Sequence, residues 1–219
     1  MYAKERLGAD IRSKTGRGPQ AQNAREVDKW IREVAGPSFQ PARLRAGPTE
    51  ETIQKALHSQ DHILAMAGEA EPLVRQFVLT RLKEYHGDGW WKRGIPGDLK
   101  RSLDAAWAKR TYRDPSLRLH QSENEGKFEQ LGLGELGLVV CYGENWPDVF
   151  EQVFQQKDEF GRRLRDLMEG RNARGHAREA GRQGIVDTLG GLLWFAHSMG
   201  ENRLDPFHEE RRADASTAC

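Results

Sequence analysis

Apolar residues recur three and four positions apart along most of the chain, the spacing that gathers them on one side of a helix. Thr49 reads as an N-cap, followed by Glu50 and Glu51, whose carboxylates suit the positive end of the helix dipole. The apolar stripe continues through Ile53, Leu57 and Leu64 towards Ala67. Pro72 is expected in the first turn of the next helix, where its missing N–H costs nothing. That helix presents Leu73, Phe77, Leu79, Leu82 and Tyr85 and ends at Gly87. Trp90-Trp91 fall in the following turn, and Ile95-Pro96 leads into a helix through Leu99, Leu103 and Trp107. The run from Leu131 to Val140 has strand-like residue types, but its flanks favour a buried helix in which Gly132, Gly134 and Gly137 permit close packing. Asn145 is expected to cap a helix through Trp146, Val149, Phe150, Val153 and Phe154. Phe160, Leu164, Leu167 and Met168 share one face of another. A last helix carries Ile185, Val186, Leu189, Leu192, Leu193 and Phe195.

Upstream of this region the pattern thins out. Residues 1–23 are polar and basic, a short helix is expected around Arg25–Val34, and Gly36-Pro37 closes it. No alternating strand pairs and no internal repeat stand out, so the predicted fold class is all-α, a helical bundle. Residues 1–48 then form a flexible basic arm with one short helix, 49–203 the helical domain, and 204–219 a polar C-terminal tail.

Charge changes this picture little. The 219 residues carry 34 Lys+Arg against 33 Asp+Glu, so bulk charge does not mark a nucleic-acid coat, though local patches can still bind one. The two cysteines, Cys141 and Cys219, set no disulfide framework and fit a reducing compartment. The first residues lack the apolar core of a signal peptide, and no stretch approaches the ~18 apolar residues of a membrane span. A cytoplasmic location without membrane contact is the expectation.

Candidate chemistry centres on Arg171-Asn172-Ala173-Arg174-Gly175-His176. Phe160, Leu164, Leu167 and Arg171 step by four, three and four, so Arg171 continues an apolar face, where a guanidinium needs an anion or a hydrogen-bonding partner. His176 would stand about 140° from Arg171 on an unbroken helix. Gly170 and Gly175 predict a break that swings it towards Arg171. An Arg beside a His suits phosphodiester cleavage without metal: the imidazole moves protons and the guanidinium holds the phosphate. Such chemistry requires RNA, whose 2′-hydroxyl is the internal nucleophile.

The hexapeptide resembles the Arg-polar-x-x-x-His signature of the HEPN superfamily (higher eukaryotes and prokaryotes nucleotide-binding domains). Asn145-Trp146-Pro147, Phe150, Phe154, Phe160 and Leu164-Arg165-Asp166-Leu167 resemble the approach to that signature. Glu71-Pro72-Leu73-Val74-Arg75 with Tyr85-His86-Gly87-Asp88-Gly89-Trp90-Trp91 resembles a segment of the branch found in RNA-surveillance endoribonucleases and in bacterial toxin or defence proteins. The resemblance covers about residues 65–200. It implies a metal-independent, cofactor-free endoribonuclease acting as a homodimer with a composite active site, governed by an inhibitor or effector protein. His176 would be the acid–base residue, Arg171 the phosphate ligand, and Asn172 the polar residue orienting the pair. Gly175 stands where the family more often has alanine. The alternative is a non-catalytic HEPN module for RNA binding or dimerisation with a partner protein.

Around the motif, Arg162, Arg163, Arg165, Arg174, Arg178 and Arg182 are crowded, and Arg165, Arg174 and Arg178 are the expected RNA contacts. Trp90, Trp91 and Trp107 either stack on unpaired bases or close the core. No metal site is expected: His58 and His62 have the spacing of a metal pair but no evident third ligand.

Overall fold

A computed structural model describes residues 47–117, 122–175 and 180–209. Every regular element among them is helical. In chain order these are α1 (Glu50–His58), α2 (Gln60–His86), a 3-10 turn (Gly87–Gly89), α3 (Trp90–Gly94), α4 (Gly97–Arg113), α5 (Glu123–Phe128), α6 (Leu133–Val140), a π turn (Asn145–Phe150) running into α7 (Glu151–Phe154), α8 (Lys157–Gly175), α9 (Arg182–Met199) and a second 3-10 turn (Asn202–Leu204). The helix expected at Arg25–Val34 lies outside the described residues. No described helix is long and apolar enough to cross a membrane.

Thr49 caps α1 as expected, its hydroxyl accepting from the Thr52 N–H at 3.2 Å. The break that follows is at Ser59, whereas none occurs at Pro72, and α2 runs 27 residues through that proline. An interior proline costs about 3 kcal/mol in helix propensity. Burial of Ile63, Met66, Ala67, Ala70, Val74, Val78 and Leu82, in a helix that packs most extensively on α8 and α9, outweighs it. The inward stripe of α2 is centred on Val74, Val78 and Leu82, so Leu73 and Phe77 are half-buried and Tyr85 is exposed.

The three long helices α2, α8 and α9 pack most extensively on one another, and α6 closes against α2 and α8. Glycine sets the closeness. A Cβ at Gly170 would stand 2.5 Å from Thr188 Cγ2, and one at Gly137 2.6 Å from Leu164 Cδ2. Gly170 therefore does not break α8; it lets α9 approach, and the helix continues to Gly175. Phe154 forms the aromatic centre of the core, within 4.8–5.9 Å of Phe160, Trp194 and Phe195 by ring centroids.

Asn145 departs from its expected capping role. Its side chain is buried and bonds to Gly94 O and Val139 O at 2.7 Å each and to His86 Nε2 at 3.0 Å. The amide gives Gly94 O its donor and gives Val139 O, which also accepts the Tyr142 N–H at 3.2 Å, a second one. Trp90 and Trp107 are buried, Trp90 lying edge-on to Phe128 at 5.6 Å, so these two rings serve the core. Leu204 and Phe207, within the segment read as a tail, are buried as well. Residues from 210 onward lie outside the described residues.

Candidate functional site

Helix α8 delivers the motif. Phe160, Leu164 and Leu167 are buried, and Arg171 follows them onto the side facing α2, its side chain 40% exposed. There it forms an ion pair with Oε2 of Glu71. Glu71 also takes Arg75, one helical turn on, at 2.6 Å. Arg75 in turn donates to Leu131 O from Nε at 2.9 Å and from Nη2 at 2.7 Å. One carboxylate thus lies between two guanidinium groups, and the cluster ties α2, α8 and the approach to α6 together. The partner that a guanidinium on an apolar seam requires is Glu71.

Three further candidate residues are visible on α8. Arg174 is exposed and donates to Ala65 O at 3.1 Å, so it too faces α2. Asn172 is exposed, about 100° around the helix from Arg171. Arg165 is exposed and makes no ion pair among the described residues. Seven residues separate Arg165 from Asn172, so those two share one face, while Arg171 and Arg174 share another. The structure therefore brings Arg171 and Arg174 together but does not place Arg165 beside them. His176 and Arg178 lie outside the described residues.

Most of the remaining crowded arginines are committed to carboxylates. Arg162 donates to Glu159 at 2.7 and 3.0 Å, Arg163 donates to it at 2.7 Å, and Arg182 pairs with Glu50 at 3.5 Å. Two acids on this side of α8 are shifted in opposite directions. The bonded Arg162 guanidinium, joined by Arg163, holds the Glu159 carboxyl below its usual range despite partial burial. Burial pushes Asp166 up, although Arg162 and Arg163 lie 3.5 Å from its Oδ2, an atom that accepts no hydrogen bond.

Glu159 stabilises the fold above the ordinary carboxylate pKa, and that contribution is lost as pH falls through its lowered value. Asp166 works the other way: it contributes stability on the acid side, lost as pH rises through its raised value and the buried charge forms. Asp166→Asn removes the second effect. Urea midpoints followed from about pH 4 to about pH 7 should show the variant gaining on the wild type as pH rises. A difference independent of pH would contradict the assignment.

Glu71 and Arg75 were not recognisable as site residues from spacing. Their four-residue separation suggests only a local helix pair. Arg171, one hundred positions further on, has no local signal that points to Glu71. Comparison with protein-family models, with curated proteins and with solved structures finds no match. The residues themselves therefore carry the functional argument.

Proposed function

We propose that this chain is a metal-independent endoribonuclease of HEPN type, with Arg171 as phosphate ligand and His176 as acid–base residue. The observation that carries the reading is the placement of Arg171: it sits in the last turns of α8, part-exposed, with its guanidinium oriented by Glu71. A part-exposed guanidinium in this position can take up an anion such as a phosphate once Glu71 gives it up. In the reaction, the imidazole takes the proton of a ribose 2′-hydroxyl, and the 2′-oxygen attacks the adjacent phosphorus. The bond to the 5′-oxygen breaks, that oxygen takes up a proton, and the products end in a 2′,3′-cyclic phosphate and a 5′-hydroxyl. A homodimer would bring two such pairs to one cleft, with Asn172 orienting its own pair. As an RNA-cutting protein of this class, the chain would act as a toxin or antiviral defence effector restrained by an inhibitor or effector protein.

The test is incubation of the purified chain with single-stranded RNA in EDTA. Strand scission supports the proposal. RNA that is bound yet stays intact overturns it and favours the second reading, a non-catalytic module that binds RNA or dimerises with a partner.

The Glu71 ion pair is the observation on the side of that second reading, because it offsets the charge of Arg171. If phosphate is the ligand of Arg171, it must displace Glu71. Glu71→Gln keeps the shape and the acceptor but removes the charge. RNA affinity should then rise severalfold, and its dependence on salt should steepen by about 0.7 for each additional phosphate neutralised. Unchanged or weaker binding would separate Arg171 from phosphate recognition.

A further inference from the structure

Helix α4 buries only one narrow stripe, Leu99, Leu103, Trp107 and Thr111, and packs chiefly on α5. The rest of its circumference faces outward. Near its C-terminal end, Tyr112 is 87% exposed, the most open large apolar side chain among the described residues. Lys109, Arg110 and Arg113 around it are exposed as well. Lys109 stands three residues from Tyr112 and four from Arg113, and Arg110 three from Arg113, so the four side chains form one continuous surface.

The other cations of this helix have partners. Lys100 donates to Lys92 O at 2.7 Å, and Arg101 pairs with Asp98. The acid nearest the middle of α4, Asp104, is taken by Lys127 at 2.6 Å. Lys109, Arg110 and Arg113 form no ion pair among the described residues. Like charges at these spacings weaken a helix, and the negative end of the helix dipole offsets that only in part. An aromatic ring left in water among three such cations thus has no evident structural purpose.

We propose that this surface docks single-stranded RNA, with phosphates on Lys109, Arg110 and Arg113 and a base stacked on Tyr112. Charge alone would also admit an acidic polypeptide. The open ring decides for a nucleic acid, since an unpaired strand offers bases to stack alongside phosphates to pair. The inference shares with the proposed function the assumption that RNA is the ligand, and it holds whether or not the chain cuts RNA.

The test follows the anisotropy of a short, unstructured, labelled RNA strand titrated with the full chain. Tyr112→Ala should weaken binding at least about fivefold with the salt dependence unchanged. The triple variant Lys109→Gln, Arg110→Gln, Arg113→Gln should weaken binding and lower the salt slope by about 2. Circular dichroism should match the wild type in both, because none of these side chains enters the core. Wild-type affinity in both variants overturns the inference, as does a wild-type chain that fails to bind the strand. Polyglutamate competing as well as unlabelled RNA overturns the choice of nucleic acid. Full RNA binding by both α4 variants of a chain that cuts RNA overturns this inference alone. Lost binding in the variants of a chain that never cuts RNA supports it and overturns the endoribonuclease reading alone.

Discussion

Replacing His176 with alanine is expected to lower RNA cleavage in EDTA by a factor of about 10² to 10⁴, the range that one positioned acid–base group supplies. The imidazole is assigned the proton that must leave the 2′-hydroxyl before it can attack, and alanine has nothing to accept it. In the proposed dimer, each composite cleft would lose the second imidazole too, so no partner copy would rescue the variant. RNA binding should change far less, because the phosphate contacts are assigned to Arg171 and to other cations. The His176 variant is also more informative than one at Arg171. Arg171 closes the ion pair with Glu71, so its removal mixes a chemical loss with a structural one. The measurement is the initial cleavage rate of wild type and variant at matched concentration, with circular dichroism as a control for folding. Equal rates would remove His176 from the reaction.

Asn145→Ala is expected to destabilise the fold by about 3–5 kcal/mol, in the rare upper range for a single substitution. The Asn145 amide nitrogen serves Gly94 O and Val139 O, and its oxygen meets His86 Nε2. Truncation strands Gly94 O and His86 Nε2, each costing about 1–3 kcal/mol when left unsatisfied, and leaves Val139 O with the Tyr142 N–H at 3.2 Å in place of two donors. Those groups belong to the C-terminal ends of α2, α3 and α6, so the loss unfastens three helices at one point. Asn145→Asp should be no milder, since a carboxylate cannot donate to the two carbonyls and adds a buried charge. Urea denaturation measures both variants. A loss under about 1 kcal/mol would mean that water or backbone movement replaces the amide.

The elements differ in how far the sequence announced them. Thr49, Gly87 and the stripes of α4, α8 and α9 were legible because caps and periodicity are local signals. Pro72 and Gly170 misled, since each weakens an isolated helix. Here α2 is held continuous through its proline by packing on both α8 and α9, and Gly170 is selected by the approach of Thr188. Asn145 satisfied the composition of an N-cap, but the buried carbonyls that claim its amide lie 51 and 6 residues away, beyond any capping pattern. Leu204 and Phe207 were hidden among charged neighbours. At the candidate site, spacing correctly placed Arg171 on the continuation of a buried face and demanded a partner for it. That the partner is Glu71 depends on tertiary packing.

The assignment of RNA chemistry to Arg171 and His176 is tested most directly by the ends of the RNA that the wild-type chain produces in EDTA. Fragments ending in 2′,3′-cyclic phosphate and beginning with 5′-hydroxyl, formed by the wild type and absent with His176→Ala, are the predicted result. Fragments with 3′-hydroxyl and 5′-phosphate ends, or the same fragments from the variant, would contradict it.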